Sequence, residues 1–425
     1  MRADFWSRTS GRARSVDERF PALLWVALLL AHAWPLAYAF VTSGDSGVKD
    51  PLVYWAWFHD AANTSVWPLI DTTWVYPPGA YLVMLPLLAV GAGSVSTLYW
   101  VLLTLALNVV VLLRLRQFDS RGRAASWWWV ACIGLTGALA VSRLESVIAP
   151  MTFFAVTFVG SRPKLMVVLL SLAGWIKLAP WVWLPALVLF RRIGIVTAGL
   201  LFTAVSAVVF LPFLVLGGWA NATSFLSSQT GRGLQAESFW ALPFQFAHAI
   251  GVGEGPTKNK EIVTYEFAGA GTSEVAAIAN LALPVLVFGA LALIAVVAWR
   301  ARSTDVRFDL VAASAAILTV ALILGNKVGS PQFMLWLAPV IASAILFAED
   351  SKLRRSWAVW GLILAFVTQI QYPIAFESVL AGGPVGTIAL FARYVCVFAI
   401  TWLAIRVLIR SLRPQPTSAR RHPQP

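Results

Sequence analysis

The sequence predicts an all-helical integral membrane protein that crosses the bilayer many times. Of its 425 residues, 59% are hydrophobic and only 12% are charged, whereas soluble proteins have about 25% charged residues. The apolar residues form long unbroken runs, such as 311–324, rather than the short alternating segments of a membrane β-barrel. Together these observations exclude soluble, disordered and disulfide-framework proteins.

Run lengths predict about twelve transmembrane helices. A spanning helix needs about 20 apolar residues, and fewer where the helix is broken or the bilayer is thin. The runs that we interpret as spans are 20–41, 97–113, 126–142, 147–160, 165–177, 178–190, 194–216, 276–299, 308–325, 331–348, 356–372 and 385–409. The run 79–90 is too short to cross comfortably, so we expect it to be a helix lying at the membrane surface.

The charge distribution predicts the topology. With these spans, most of the 32 basic residues fall in short loops on one side of the membrane, together with both termini. By the positive-inside rule that side is the cytoplasm, so the net charge of +13 reflects topology rather than affinity for nucleic acid. We therefore expect a cytoplasmic segment 1–19, a transmembrane domain 20–410 and a disordered cytoplasmic tail 411–425.

The opposite face carries the features that suggest chemistry. It has two long loops, 42–79 and 217–274, and more than half of the acidic residues. The cytoplasmic face has only short connections, without room for a soluble catalytic domain. Cys132 and Cys396 lie inside apolar runs, and the four histidines match no metal-ligand spacing, so neither a disulfide nor a metal or other cofactor is expected. Any active site should therefore lie extracytoplasmically, at or just above the bilayer.

Asp50 in the first long loop has two possible roles. Asp50-Pro51 is a plausible helix start, in which the carboxylate caps and proline takes the first helical position. A carboxylate beside aromatic surface can also act as a general base toward a sugar hydroxyl. The two roles are compatible. Asp45 in the same loop is a second candidate for the base.

Several charged residues near predicted helix ends suggest a bound anion. Arg143 and Glu145 flank Leu144 at the outer end of the third span and could pair with each other. Lys177 lies between two short apolar runs with no evident local partner, and an ionisable residue inside the bilayer costs up to about 2.5–3.5 kcal/mol. An anionic ligand would account for it.

The second long loop and a later turn supply further cations. Flanking glycine frees the backbone at Arg232, which suits an anion contact, although an ordinary solvated arginine fits too. The turn 325–332 places Lys327 near a helix that we expect to begin at Ser330-Pro331. A lysine beside a helix N-terminus is electrostatically unfavourable unless an anion lies between them.

The order of five short motifs resembles the membrane-embedded GT-C glycosyltransferases. It is most similar to family 87, the actinobacterial polyprenyl-phosphate-mannose-dependent α-mannosyltransferases and their relatives. The motifs are Asp50-x-x-Val53-Tyr54, Tyr76-Pro77-Pro78, Lys177-x-x-Pro180, Arg232-Gly233-Leu234-Gln235-x-Glu237-Ser238 and Asn326-Lys327-x-x-Ser330-Pro331-Gln332. Arg143-Leu144-Glu145 also looks like an Arg-x-Asp motif of relatives, here with glutamate.

The resemblance implies an inverting sugar transferase of cell envelope biosynthesis. The donor would be a sugar, mannose by family default, on a polyprenyl phosphate, and the acceptor a glycolipid or glycan. Asp50 would be the catalytic base, while Lys177, Arg232 and Lys327 would bind the donor phosphate. The other residues expected to bind substrate are Tyr54, Tyr76, Arg143, Glu145, Gln235, Glu237, Asn326 and Gln332.

Two other functional classes fit a twelve-span chain. A secondary transporter or lipid flippase would place charged residues near the bilayer midplane and often shows two related halves. Here the charges cluster at the outer edge, and no internal repeat is visible. A polysaccharide ligase or polymerase would use an outer loop in a similar way, but with a lipid-diphosphate donor.

Overall fold

The computed structural model describes residues 22–42, 47–227, 232–259, 264–301 and 308–412. The predicted cytoplasmic segment 1–19 and Asp45 lie outside these ranges, as does nearly all of the predicted tail 411–425. The described chain is mostly helical, with one small β-sheet.

The first part of the chain alternates long and short helices. They are α1 (Ala22–Val41), α2 (Asp50–Thr64), α3 (Pro78–Met84), α4 (Ser94–Leu115), α5 (Ser120–Thr136), α6 (Leu139–Ser142) and α7 (Glu145–Val156). A 3₁₀ turn, Leu85–Ala89, extends α3, so the run 79–90 is helical as predicted. The carboxylate of Asp119 starts α5 by accepting a hydrogen bond from the Arg121 amide (2.9 Å).

The middle part contains the second long loop. Its helices are α8 (Pro163–Ile176), α9 (Trp183–Leu189), α10 (Ile195–Val215), α11 (Ser224–Ser227), α12 (Leu242–Ala249) and α13 (Thr272–Arg300). Its strands are β1 (Leu234–Gln235), β2 (Thr257–Asn259) and β3 (Thr264–Phe267). They form an antiparallel sheet in the order β1-β3-β2, in which Glu266 lies between Gln235 and Thr257. The sequence did not predict this sheet.

The last part of the chain is again helical. Its helices are α14 (Phe308–Gly325), α15 (Ala338–Phe347), α16 (Ser351–Gln369), α17 (Phe376–Leu380) and α18 (Pro384–Ser411). A 3₁₀ helix, Pro331–Trp336, leads into α15 and begins after Ser330, where the sequence predicts a helix start.

Seven described helices are long and apolar enough to cross a membrane: α1, α4, α10, α13, α14, α16 with its continuation to Ile374, and α18. The chain is therefore a multi-pass helical membrane protein. The other five predicted spans correspond to shorter helices, including α7, α8 and the segments around α9 and α15. That these shorter helices also cross the bilayer stays a prediction.

The buried fraction of each helix distinguishes a central helix, α14, from the peripheral helices α10 and α13. In α14, 78% of the most apolar 18-residue window is buried, against 17% in α13 and 22% in α10. The large apolar side chains of the two peripheral helices are widely exposed, as expected where lipid replaces water. Because α14 packs against α13, α15 and α18, its end at Gly325 brings the turn 325–332 into the middle of the bundle.

Candidate active site

Asp50 is the first residue of α2, and Pro51 follows it in the first helical turn. The residue in the N-cap position is Lys49, and no side chain caps the helix. The prediction that Asp50 caps the helix is therefore wrong. The physical reason is that the Asp50 carboxylate turns to partners outside the local backbone.

The partners of Asp50 are Arg143 and Tyr54. Arg143, between α6 and α7, donates from Nη1 to Asp50 Oδ2 and forms an ion pair with it. The Tyr54 hydroxyl, one helical turn along α2, donates to the same oxygen over 3.1 Å. Arg143 Nη2 donates to the hydroxyl of Tyr372 over 2.8 Å. Within the described chain, both hydrogen bonds to this carboxylate thus involve Oδ2.

The surroundings of Asp50 favour the protonated form more than water does. Burial raises the pKa of the Asp50 carboxyl above its usual range, although the Arg143 guanidinium and the two hydrogen bonds act against the rise. The side chain nevertheless keeps 20% exposure. A partly accessible carboxylate with raised proton affinity suits general base chemistry.

Lys177 has an acidic partner that lies 32 positions earlier in the sequence. Its Nζ forms an ion pair with Glu145 Oε1, and the Glu145 side chain is only 1% exposed. The expectation that Lys177 lacks a partner is therefore wrong, because packing of α7 against α8 brings Glu145 to the end of α8. Arg143 and Glu145 do not pair with each other. Arg143 pairs with Asp50, and Glu145 pairs with Lys177.

Tyr76 lies at the centre of these charges. Lys177 Nζ is 5.6 Å from the Tyr76 ring centroid, within cation–π range. Burial raises the pKa of the Tyr76 phenol, and the charges of Asp50 and Glu145 raise it further. Tyr76 also packs edge-on against Tyr54. We call Asp50, Tyr54, Tyr76, Arg143, Glu145 and Lys177 the helix half of the site.

A second group of predicted residues lies on two loops, 232–238 and 326–332, which we call the loop half. Gln235 holds them together: its backbone amide donates to the Lys327 carbonyl (3.1 Å), and its Oε1 accepts from the Gly329 amide (2.9 Å). Gly329 permits this close approach, since a Cβ atom there would lie 2.2 Å from Ser238 Cα. Arg232 and Lys327 are thereby carried by one connected unit.

Arg393 on α18 anchors the loop half, although the sequence analysis did not identify it. Its side chain is fully buried (0% exposed). It donates to the backbone carbonyls of Glu237 and Gly329, and to Gln371 Oε1 (2.8 Å). A charged residue inside an apolar run was the available signal. One guanidinium thus binds both loops to the bundle.

Glu237 is part of the same buried network. Its Oε1 accepts from Gln371 Nε2 (2.8 Å), and its Oε2 accepts from Gln235 Nε2 (3.2 Å). Burial raises the pKa of the Glu237 carboxyl, and the charge of Arg393 counteracts the rise. The side chains of Gln235 and Glu237 are therefore occupied by protein partners. Their contact with substrate stays a prediction.

Asn326 and Gln332 frame the Lys327 turn. Asn326 Oδ1 accepts a hydrogen bond from the Val328 amide (2.8 Å), which closes the turn after α14. Gln332 is half-buried on the following 3₁₀ helix. Lys327 itself is 4% exposed, and burial lowers its pKa while the nearby Glu266 carboxylate raises it.

The two halves meet at Tyr76 and Arg232. The Arg232 charge acts on the Tyr76 phenol, and it also acts on Lys327. The Tyr76 phenol is therefore acted on by charges from both halves, Asp50 and Arg143 on one side and Arg232 on the other. Arg232 is half-buried, and its Nε has no hydrogen-bond partner among the described residues.

The fold and these contacts define a multi-pass helical membrane protein whose charged side chains pair at the ends of helices. The family model of glycosyltransferase family 87 matches residues 74–325. The chain therefore belongs to glycosyltransferase family 87 and is a membrane glycosyltransferase. No curated protein and no solved structure matches it.

The matched region contains only part of the candidate site. Arg143, Glu145, Lys177 and Arg232 lie inside it, whereas Asp50 lies before it. Tyr54, Asn326, Lys327 and Gln332 also lie outside. In the described part of the chain, no three His, Cys, Asp or Glu side chains are grouped to hold a metal ion. The expectation of a cofactor-free reaction stays a prediction.

Proposed function

We propose that this glycosyltransferase transfers a sugar, expected to be mannose, from a polyprenyl phosphate to a glycolipid or glycan with inversion. Asp50 takes the proton of the acceptor hydroxyl, whose oxygen attacks the anomeric carbon. The bond from that carbon to the phosphate oxygen breaks, and polyprenyl phosphate leaves with its negative charge. The observation that supports this proposal is the set of contacts around Tyr76. Lys177 Nζ lies 5.6 Å from its ring centroid, and Tyr54, which donates to Asp50, packs edge-on against it. The charge of Arg232 also acts on its phenol.

The contacts of Asp50 support its proposed role as the general base. Arg143 and Tyr54 hold Oδ2, so Oδ1 is the oxygen left to face an acceptor hydroxyl. Holding one oxygen fixes the orientation of the other, and orientation is a large part of catalytic efficiency. The raised pKa adds proton affinity without removing the charge stabilisation that Arg143 provides.

Lys177 and Arg232 differ in the partners that the protein gives them. Lys177 is already neutralised by Glu145, so a phosphate would have to share this lysine with a carboxylate. Arg232 Nε is buried without a hydrogen-bond partner among the described residues, so a phosphate oxygen there would satisfy an unpaired donor. Preorganised cations stabilise a leaving group whose negative charge grows in the transition state.

The general base assignment is tested by Asp50→Asn. Loss of a general base lowers turnover by about 10²–10⁴-fold, so we expect at least a hundredfold loss of sugar transfer from a polyprenyl-phosphate-mannose donor. Asp60→Asn is the matched control, because Asp60 is exposed on the same helix. Donor binding, measured separately, should survive in both variants. Full turnover by Asp50→Asn would remove Asp50 as the base.

The donor class is tested by comparing carriers. Purified protein should use a polyprenyl monophosphate donor and turn over a lipid diphosphate donor far more slowly. A preference for the diphosphate would indicate a ligase or polymerase instead. Uptake of the sugar lipid into sealed vesicles without a covalent product would indicate a transporter.

We further propose that both termini are cytoplasmic and that the site is extracytoplasmic, at the cell membrane. The distribution of basic residues supports this orientation. Single cysteines placed at exposed Asp60 and exposed Lys352 should react with a membrane-impermeant thiol reagent on opposite sides, with Asp60→Cys labelled in intact cells. Labelling of Lys352→Cys alone would reverse the orientation.

A further inference from the structure

A polar cleft of about 520 Å³ lies beside the loop half. It is bounded by the Gly233 end of β1, the β2 and β3 strands and the start of α13, including Thr272 and Ser273. Its volume lies within the range of small-molecule sites, about 300–1,000 Å³. The described contacts assign this cleft no role in the reaction above.

The lining has both donors and acceptors of hydrogen bonds. Glu266 receives one hydrogen bond at each oxygen, from the Gly233 amide and from Asn259 Nδ2, each over 3.1 Å. A carboxylate has about four lone-pair sites, so Glu266 retains capacity for further donors. Thr257 and Lys258 on β2 add a hydroxyl and an ammonium group.

The position of the cleft connects it to the donor cations. Gly233 follows Arg232 directly in the chain, and the Glu266 carboxylate acts electrostatically on both Arg232 and Lys327. A ligand in the cleft therefore lies next to the place where the donor phosphate is expected. Gly233 and β3 border the cleft, whereas Tyr76 and Asp50 belong to the helix half.

We propose that this cleft binds neutral sugar residues of an oligosaccharide acceptor. They are the residues of the acceptor chain that are linked to the sugar carrying the attacking hydroxyl. This inference rests on the proposed function for the direction of the reaction. Sugar hydroxyls both donate and accept, which matches a lining of carboxylate, amide, hydroxyl and ammonium groups. The lining residues include one carboxylate, Glu266, and one ammonium, Lys258, whose charges balance, and such a lining suits a neutral occupant better than a charged one.

The test compares two tryptophan substitutions in the full-length protein in detergent. Ala268 is exposed and lines the cleft, so Ala268→Trp should fill it. Ala270→Trp is the matched control, since Ala270 is also exposed and lies two residues further on. Binding of two neutral trisaccharides, mannotriose and maltotriose, and of inorganic phosphate is measured by titration calorimetry.

We expect the wild-type protein and Ala270→Trp to bind at least one trisaccharide with equal affinity, and Ala268→Trp to bind it at least about tenfold more weakly. Asn259→Ala removes one polar group and should weaken binding about two- to tenfold. It keeps the proposal testable if Ala268→Trp does not fold. Binding of neither trisaccharide, equal binding by all variants, or phosphate binding that Ala268→Trp abolishes would each overturn the proposal.

Kinetics separate this proposal from the one on which it rests. With active enzyme, Ala268→Trp should raise the acceptor KM and leave the donor KM unchanged. If the wild-type protein turns over no polyprenyl-phosphate donor, the proposed function fails. Selective loss of trisaccharide binding in Ala268→Trp would still support the cleft.

Discussion

The helix half and the loop half of the candidate site are built in different ways. In the helix half, charged side chains pair directly with one another. Asp50 on α2 pairs with Arg143 between α6 and α7, and Glu145 on α7 pairs with Lys177 at the end of α8. In the loop half, the cations lie on loops that a buried polar network holds, with Arg393 at its centre. In the helix half the charged side chains position each other directly, whereas in the loop half the buried network around Arg393 positions the loops that carry the cations.

The largest effect should come from removing the anchor of the loop half. Arg393→Met removes the cation beside the buried Glu237 carboxylate and the arginine donor to the Gly329 carbonyl, while Tyr394 still donates to the Glu237 carbonyl. We therefore expect a loss of about 3–5 kcal/mol in the free energy of unfolding. Arg410→Met on the same helix is the control. Its ion pair with Asp350 is about 42% exposed and contributes at most about 1 kcal/mol. Reversible unfolding in mixed micelles measures both, and equal losses would refute the anchoring role.

A smaller effect is expected where packing positions Lys177. A Cβ atom at Gly79 would lie 2.7 Å from the backbone of Trp175, close to the end of α8. Gly79→Ala should therefore destabilise by about 1–3 kcal/mol and raise the donor KM by displacing Lys177. At Gly91 the nearest atom is 3.8 Å away, so Gly91→Ala should change neither thermal stability nor donor KM. An unchanged donor KM in Gly79→Ala would argue against this dependence.

The acid limb of the pH–rate profile tests the coupling within the helix half. Asp50 must be deprotonated to act as a base, so activity falls as the pH drops through its raised pKa. Arg143 lowers the pKa of Asp50 by its charge and its hydrogen bond. Arg143→Gln should therefore move the acid limb to higher pH, as measured by kcat/KM against pH. A limb that stays in place would mean that another group titrates.

Tyr54→Phe should give the smallest change of the series. It removes one hydrogen bond that lowers the pKa of Asp50, so the acid limb should move in the same direction as in Arg143→Gln but less far. The expected loss of stability is about 0.5–1.5 kcal/mol. Tyr38→Phe on α1 is the control, because Tyr38 contacts Trp34 rather than Asp50. A larger shift than that of Arg143→Gln would invert the ranking.

Sequence patterns predicted what depends on local composition. Apolar run lengths gave the helical membrane class, and α10 at 195–215 closely matches the predicted span 194–216. They did not give the small sheet, because strands of two to four residues such as β1 are too short for an alternating pattern to show. Asp50-Pro51 shows a related limit. The helix start was predicted there, but the partner of the carboxylate was not, since a cap and a distant ion pair use the same carboxylate.

The sequence could not show which charged residues pair with each other. Glu145 and Lys177 belong to different helices, and only packing decides that they meet. Arg393 could have been noticed, because a guanidinium inside an apolar run must have partners. Half of its hydrogen bonds within the described chain, however, go to the backbone carbonyls of Glu237 and Gly329, which carry no sequence signature.

The two halves also differ in their balance of charge. In the helix half, each of the two carboxylates has its own cation, so the sum is zero. Among the described residues of the loop half and its surroundings, the three cations Arg232, Lys327 and Arg393 outnumber the two carboxylates Glu237 and Glu266, an excess of positive charge. A phosphate approaching from bulk solution or along the bilayer is therefore attracted first to the loops. Its association rate should fall with ionic strength, while the neutral half contributes little to that long-range attraction.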